Sequence, residues 1–329
     1  MGRNEEATPR MRQELLDAGI SRRALAKQEW VSPHRGFHRN LNVNDPVRQR
    51  ILDAAAVMPQ GAVIGGWAAA YLHGVAYLDG SDEPVLLVVP PQRRLDRPGI
   101  ETVRTELDPA DTTSRHGVAC TNGARTAFDL LRLAPGLTSA VVAGDCMLHA
   151  GLTTAAAVLE YAAALPGRRG VRQLRKAVPL LEPGAASPPE SRLRMLCHLG
   201  TDLPRLLVNV PVYERAGSFL GIPDLLEPTT GLVIEYDGEY HRELDQHTAD
   251  NLREEALESA GLTVVRVTSL DLRDGRATAA RISATHLRLL RSPPPAPTWT
   301  FLHRLEGPGT LDGLKACADL PVGAAASAR

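Results

Sequence analysis

The stretch from Ile222 to His241, IPDLLEPTTGLVIEYDGEYH, constrains what this chain can fold into more than any other. Gly231-Leu232-Val233-Ile234 opens an apolar run of strand-forming residues, as in a strand buried within a sheet. The same strand then runs into Glu235, Tyr236 and Asp237, acids where a buried sheet would normally be apolar, before Gly238 breaks it. Pro223-Asp224 lies across a Pro228-Thr229-Thr230-Gly231 turn, so the spacing predicts a hairpin that sets Asp224 and Glu235 on antiparallel neighbours.

Two carboxylates at the facing ends of adjacent strands form a hard oxygen pocket. Mg2+ or Mn2+ takes such a pocket, adding waters and a substrate phosphate to one or two carboxylates. Like charges this close raise one another's pKa, and a divalent cation keeps both ionised. A second reading leaves both acids as solvated groups flanking a turn.

Pro223-Asp224, the run Glu235-Tyr236-Asp237-Gly238 with His241, Asp250 and Arg253 on a predicted helix, and Ala260-Gly261-Leu262-Thr263-Val264-Val265-Arg266-Val267 come in that order. Together they resemble the Vsr-like branch of the PD-(D/E)XK nuclease superfamily, and Glu190, in Ser187-Pro188-Pro189-Glu190-Ser191-Arg192-Leu193, is similar to the acid on that family's leading helix. The resemblance covers residues 187 to 274. It implies a small mixed sheet flanked by helices, hydrolysis of phosphodiesters, and a Mg2+ or Mn2+ cofactor held by Asp224, Glu235 and the carbonyl of Tyr236. Glu190 would orient the attacking water or a second ion. One position departs from the pattern, because the superfamily's usual Lys, two residues after Glu235, is Asp237 here. Arg253 and His241 are the candidates to supply the missing cation. Arg253 equally suits an ordinary surface pair with Asp250.

The net charge of -1 over 329 residues hides an uneven distribution. Residues 1–187 hold 22 Lys/Arg against 19 Asp/Glu, residues 188–275 hold 8 against 16, and residues 276–329 hold 7 against 3. The nuclease-like segment therefore stands at 8 − 16 = -8, and phosphate binding draws on Lys and Arg, so another part of the chain must hold nucleic acid. Cys120, Cys146, Cys197 and Cys317 show no CxxC spacing and read as small buried residues. No apolar run reaches the length of a membrane span and the start MGRNEEATPR has no signal-peptide core, so the expectation is a cytoplasmic protein without a membrane partner.

At the N-terminus, Met11 to Ala18 predicts a short helix ended by Gly19, and Ser21 caps a second over residues 22–27. Trp30 to Arg39 suits a two-stranded wing with Gly36 at its turn. Residues 1–50 carry 10 basic against 6 acidic groups, and in a winged helix Arg22, Arg23, Lys27, Arg35 and Arg39 would touch DNA. The same fold used for a protein contact remains open.

Beyond Asp45 the pattern predicts an amphipathic helix (Val47, Ile51, Leu52), an Ala-rich helix from Trp67 to His73, and a buried strand over Val85 to Pro90. A partner strand over Ile100 to Leu107 and a helix opening at Asn122 follow. With Gly19-Ile20-Ser21-Arg22-Arg23-Ala24-Leu25, Gly36-Phe37-His38-Arg39 and Arg125-Thr126-Ala127-Phe128-Asp129-Leu130, this order resembles the AbiEi-type antitoxin family over residues 1 to 150. That resemblance implies DNA binding for transcriptional control, beside a nucleotidyltransferase-type toxin as partner.

Residues 137–182 read as helices, with Arg168, Arg172, Arg175 and Lys176 on one face and Arg169 beside them, the densest basic patch of the chain. The patch is a candidate for phosphate contacts or simply a solvated helix face. An amphipathic helix over 276–291 is followed by a Pro-rich stretch and a weakly ordered tail.

The chain is thus expected to be α/β (α+β): a winged helix over 1–44, an AbiEi-like α/β domain over 45–136, a helical connector over 137–186, a Vsr-like nuclease domain over 187–291 and a tail over 292–329. The leading expectation for function is a metal-dependent DNA endonuclease targeted by its winged helix. The alternative is an antitoxin-like transcriptional regulator whose nuclease scaffold is inactive.

Overall fold

Helices and mixed sheets alternate along the chain in a computed structural model that describes residues 8–41, 45–80, 83–238, 253–292 and 297–301. The class is α+β, and the chain divides into two compact units, Met1–Leu181 and Glu182–Arg329.

The first unit opens with β1 (Arg10–Met11), α1 (Arg12–Asp17), α2 (Arg22–Leu25), β2 (Trp30–Val31) and β3 (Phe37–Asn40). Ser21 caps α2 by accepting from the Ala24 amide at 3.1 Å, but the helix lasts a single turn and stops before Lys27. Gly36 takes a φ of 88°, which lets the chain turn between β2 and β3. β3 pairs with both β2 and β1, a third strand with no alternating pattern to announce it.

Asp45 caps α3 (Pro46–Ala56), and its other carboxylate oxygen accepts from the Tyr71 hydroxyl at 2.6 Å. β4 (Val63–Ile64), α4 (Gly66–Leu72), β5 (Val85–Val89), β6 (Ile100–Arg104), β7 (Thr112–Arg115) and β8 (Val118–Thr121) follow, in a five-stranded sheet of order β6-β5-β4-β8-β7. β5 lies in the middle region, buried at all five positions, which is why its sequence is an unbroken apolar run. The β7–β8 hairpin was not expected from the sequence, because Thr112 to Arg115 is half-exposed and polar.

Asn122 caps α5 (Gly123–Leu133), and α6 (Leu137–His149), α7 (Ala155–Ala164) and α8 (Val171–Ala177) pack around it. The helices over 137–177 belong to the same compact unit as the elements before them. They bury Leu131, Val141, Met147, Val158 and Leu174 together, and the compact unit continues through them to Leu181.

The second unit contains α9 (Pro188–Gly200), β9 (Leu207–Val208), β10 (Val212–Glu214), β11 (Phe219–Gly221), β12 (Leu225–Glu227) and β13 (Leu232–Asp237). After these come a helix over 253–259 (α10), β14 (Thr263–Thr268), α11 (Ser269–Arg273), α12 (Gly275–Arg291) and β15 (Trp299–Phe301). The main sheet has the order β14-β13-β12-β9, with β13 and β14 parallel and the other pairs antiparallel. A second sheet, β11-β10-β15, takes its edge strand from the segment expected to be a weakly ordered tail. The reason is Trp299, buried against Val212, Leu226 and Leu262, which anchors residues that composition alone marks as a tail. The remainder of that tail lies outside the described residues.

Glu227 is fully buried at the end of β12 and closes the hairpin: its carboxylate accepts from the amides of Thr229 (3.0 Å) and Thr230 (2.7 Å), with His286 at 3.7 Å. Glu227→Gln sets an amide NH2 against donors and is expected to cost about 1–3 kcal/mol. Urea unfolding checks it, and a variant as stable as the wild type would show that this carboxylate does not hold the turn. The described cysteines, Cys120, Cys146 and Cys197, are buried, and burial pushes the Cys197 thiol up to about 12. Among the described residues no helix is long and apolar enough to cross a membrane.

Candidate functional site

The two faces of the main sheet have separate cores. Leu225, Leu232, Ile234, Val265 and Val267 pack with Leu193 and Ile282 of α9 and α12. Leu226 and Val233 pack on the other side with Leu257 of α10 and with Ala260, and Val264 joins them. Side chains alternate along a strand, so Asp224, Glu235, Asp237 and Arg266 all belong to the α10 side. Leu225 pairs with Ile234, which sets Asp224, one residue earlier, opposite Glu235, one residue later. Arg266 on β14 is the parallel register partner of Glu235.

Asp224 accepts from the Tyr236 amide at 2.7 Å. Its carboxyl is nevertheless raised to about 6, by burial first and by the charges of Glu190 and Glu235, against the opposing pull of Tyr236 N–H and Arg253. Glu235 is 9% exposed. The Nη2 of Arg253, at the described start of α10, lies 3.5 Å from its Oε2. Arg253 passes over Gly221 of β11, where a Cβ would stand 3.1 Å from its Cγ and Cδ, so a glycine there leaves room for the arginine stem. Arg266 pairs with Glu254 and lies 3.6 Å from Asp237.

Glu190 sits in the first turn of α9, where Ser187 is the N-cap. It accepts from Ser187 Oγ (2.7 Å), from the Ala186 amide (2.9 Å) and from Asn209 Nδ2 (2.8 Å). Asn209 was not anticipated, yet it ties two parts of the site together: its own amide donates to the Asp224 carbonyl at 3.1 Å, and its side chain reaches Glu190. Its φ of 50° is a left-handed conformation that Asn tolerates better than most residues. The available signal was an Asn set between Val208 and Val210-Pro211 in an otherwise apolar run.

Of the sequence-derived candidates, then, Asp224 and Glu235 face each other, Glu190 lies near enough to act on Asp224 by charge, and Arg253 contacts Glu235. Asp237 points to the same side but lies beside Arg266. His241 and Asp250 lie outside the described residues. The donor set suits a hard cation: two carboxylates close enough to oppose each other's ionisation, on rigid strands. Among the described residues no three His, Cys, Asp or Glu side chains converge into a ready-made cage, but Mg2+ needs only one or two carboxylates and completes its shell with waters and substrate phosphate.

In the first unit, Arg22, Arg23, Lys27 and Arg35 are exposed. Arg39 is not available in the same way. Its Nε lies 2.9 Å from Asp53 on α3, with both side chains largely buried, so it clamps β3 to the neighbouring helix.

One family profile, described as a protein of unknown function (DUF2726), matches residues 225–285, which span β12, β13, α10, β14, α11 and most of α12. No curated protein matches the chain.

Proposed function

We propose that the chain is a metal-dependent DNA endonuclease whose site is built on Asp224 and Glu235. The observation that carries this reading is the facing pair itself, two acids on one side of a buried sheet with the Asp224 carboxyl pushed up to about 6. A stable sheet has no use for such a pair, whereas a divalent cation relieves its repulsion. Asp224, Glu235 and the Tyr236 carbonyl would hold Mg2+ or Mn2+. The bound ion would polarise a phosphodiester and lower the pKa of its attacking water. Arg253 brings a fixed positive charge to Glu235, and Glu190, held by three donors, keeps a third carboxylate in place near Asp224. The exposed arginines and lysine of the first forty residues would supply DNA contacts, and the cytoplasm is where such an enzyme would meet DNA.

One observation favours a second reading, an antitoxin-like DNA-binding regulator with a silent nuclease scaffold and a nucleotidyltransferase-type toxin as partner. Asp237 occupies the usual Lys position and lies beside Arg266. Metal removal separates the two. Plasmid nicking is expected in Mg2+ or Mn2+ and should stop with chelator, and calorimetry should show the ion binding. DNA binding without nicking or metal binding would select the regulator.

A further inference from the structure

The first unit carries a cleft of about 230 Å³ lined by β6, α5 and the turn before α8. Five arginines line it, Arg104, Arg125, Arg132, Arg168 and Arg169, against one lining carboxylate, Glu101. Asp129 and Asp111 neighbour the inner arginines, so five guanidiniums meet three carboxylates, a surplus of 5 − 3 = 2 positive charges.

The inner wall is rigid. Arg125 and Arg132 are nearly buried and share Asp129, at 2.8 and 2.6 Å. Arg132 also lies over the Phe128 ring at 5.2 Å and donates from Nη1 to the Arg169 carbonyl at 3.2 Å. Gly170 pins the same turn: with φ at 84°, a Cβ there would fall 1.9 Å from the Arg132 carbonyl oxygen, so only glycine lets the chain pass so close.

The rim is different. Arg104, Arg168 and Arg169 are exposed, and none has an ion-pair partner among the described residues. Like charges held together at the mouth of a cationic cleft raise its potential, and an anion relieves it. Planar guanidinium forks match phosphate oxygens in particular. Beyond the rim, α8 turns Val171, Leu174 and Ala177 inward and leaves Arg172, Arg175 and Lys176 exposed. Five exposed cations thus fall within residues 168–176, more than one phosphate needs, which favours a strand over a lone nucleotide.

We propose that this cleft is a phosphate-binding site, distinct from the winged-helix contacts and the carboxylate pair, that grips the backbone of a nucleic-acid strand. The inference stands whether or not Asp224 and Glu235 cut.

The test uses the full chain and the triple variant Arg104→Gln, Arg168→Gln, Arg169→Gln, whose exposed, unpaired side chains can be changed without disturbing the fold. Labelled duplex and single-stranded oligonucleotides are titrated by fluorescence anisotropy at several salt concentrations, and pyrophosphate by calorimetry. The slope of log affinity against log salt is expected to fall by about 2–3 in the triple variant, with about 0.7–0.9 per lost phosphate contact. Pyrophosphate binding should weaken with it. An Arg22→Gln, Arg23→Gln variant separates the sites, since it should weaken duplex binding while leaving pyrophosphate affinity unchanged. A slope that does not move between wild type and triple variant, or no strand binding at all, overturns the proposal. A pyrophosphate affinity that still falls would then reassign the cleft to a free phosphate ligand.

Discussion

Asp224→Asn is expected to lower metal-dependent nicking by about 10³-fold, roughly 4 kcal/mol of transition-state stabilisation, while making the metal-free protein more stable near pH 7. Asn keeps the shape of the side chain and an acceptor for the Tyr236 amide at 2.7 Å, but removes the charge that faces Glu235. The sign follows from the raised carboxyl. Folded Asp224 holds its proton up to about 6 and an ordinary carboxyl only to 3.8, so between those values the folded state binds the extra proton. Stability therefore falls as pH rises through this window and stays lower above it. Neutralising the group should recover about 1–3 kcal/mol near neutral pH and little near pH 4. Urea unfolding of both proteins at the two pH values measures this, and calorimetry should show Mg2+ binding lost in the variant. A variant that is destabilised near pH 7, or that cuts like the wild type, would remove Asp224 from the site. Glu235→Ala should abolish nicking as well, but its stability change mixes in the loss of the Arg253 contact at 3.5 Å.

Asp129→Ala should cost the first unit about 3–5 kcal/mol, because it strands charged partners in the interior. Asp129 is fully buried, and both Arg125 and Arg132 depend on it within hydrogen-bonding distance. Arg125 keeps a weaker partner in Asp111, at 3.7 Å, whereas among the described residues Arg132 keeps only a carbonyl and the Phe128 ring. Replacing all three members together, Arg125→Met, Asp129→Leu and Arg132→Met, should restore much of the loss, since buried ion pairs are often matched by apolar groups of similar volume. Hydrogen exchange at the α5 amides under urea reports on this unit directly. A loss below about 1 kcal/mol for Asp129→Ala would mean that the arginines rehydrate through the neighbouring cleft, and that the aspartate does not clamp them.

The hairpin of β12 and β13 was legible in the sequence because three local signals agreed: a Pro-Thr-Thr-Gly turn, an apolar run and a break at Gly238. The same holds for β5, for α3 and for the caps at Ser21 and Asn122, each a matter of period or of one side chain meeting a nearby amide. β1, β7 and β15 were not legible. Two to four residues carry no period, and these strands exist because β3, β8 and β10 offer them a free edge.

Charge roles divided along the same line. That Asp224 and Glu235 face each other follows from chain spacing alone, since a tight turn fixes register. The partner of each cation does not. Arg39 meets Asp53, Arg253 meets Glu235 and Arg266 meets Glu254 across gaps that no local pattern spans, and Asn209 joins Glu190 to Asp224 only once α9 and β9 are packed. The sequence by itself determined the β12–β13 hairpin, its register around the turn and the acids it carries, because these depend on residues a few positions apart. Which arginine stands beside which acid, and which ones reach water around a cleft, was decided by the tertiary structure, where burial forces every charge to find a partner or to reach water.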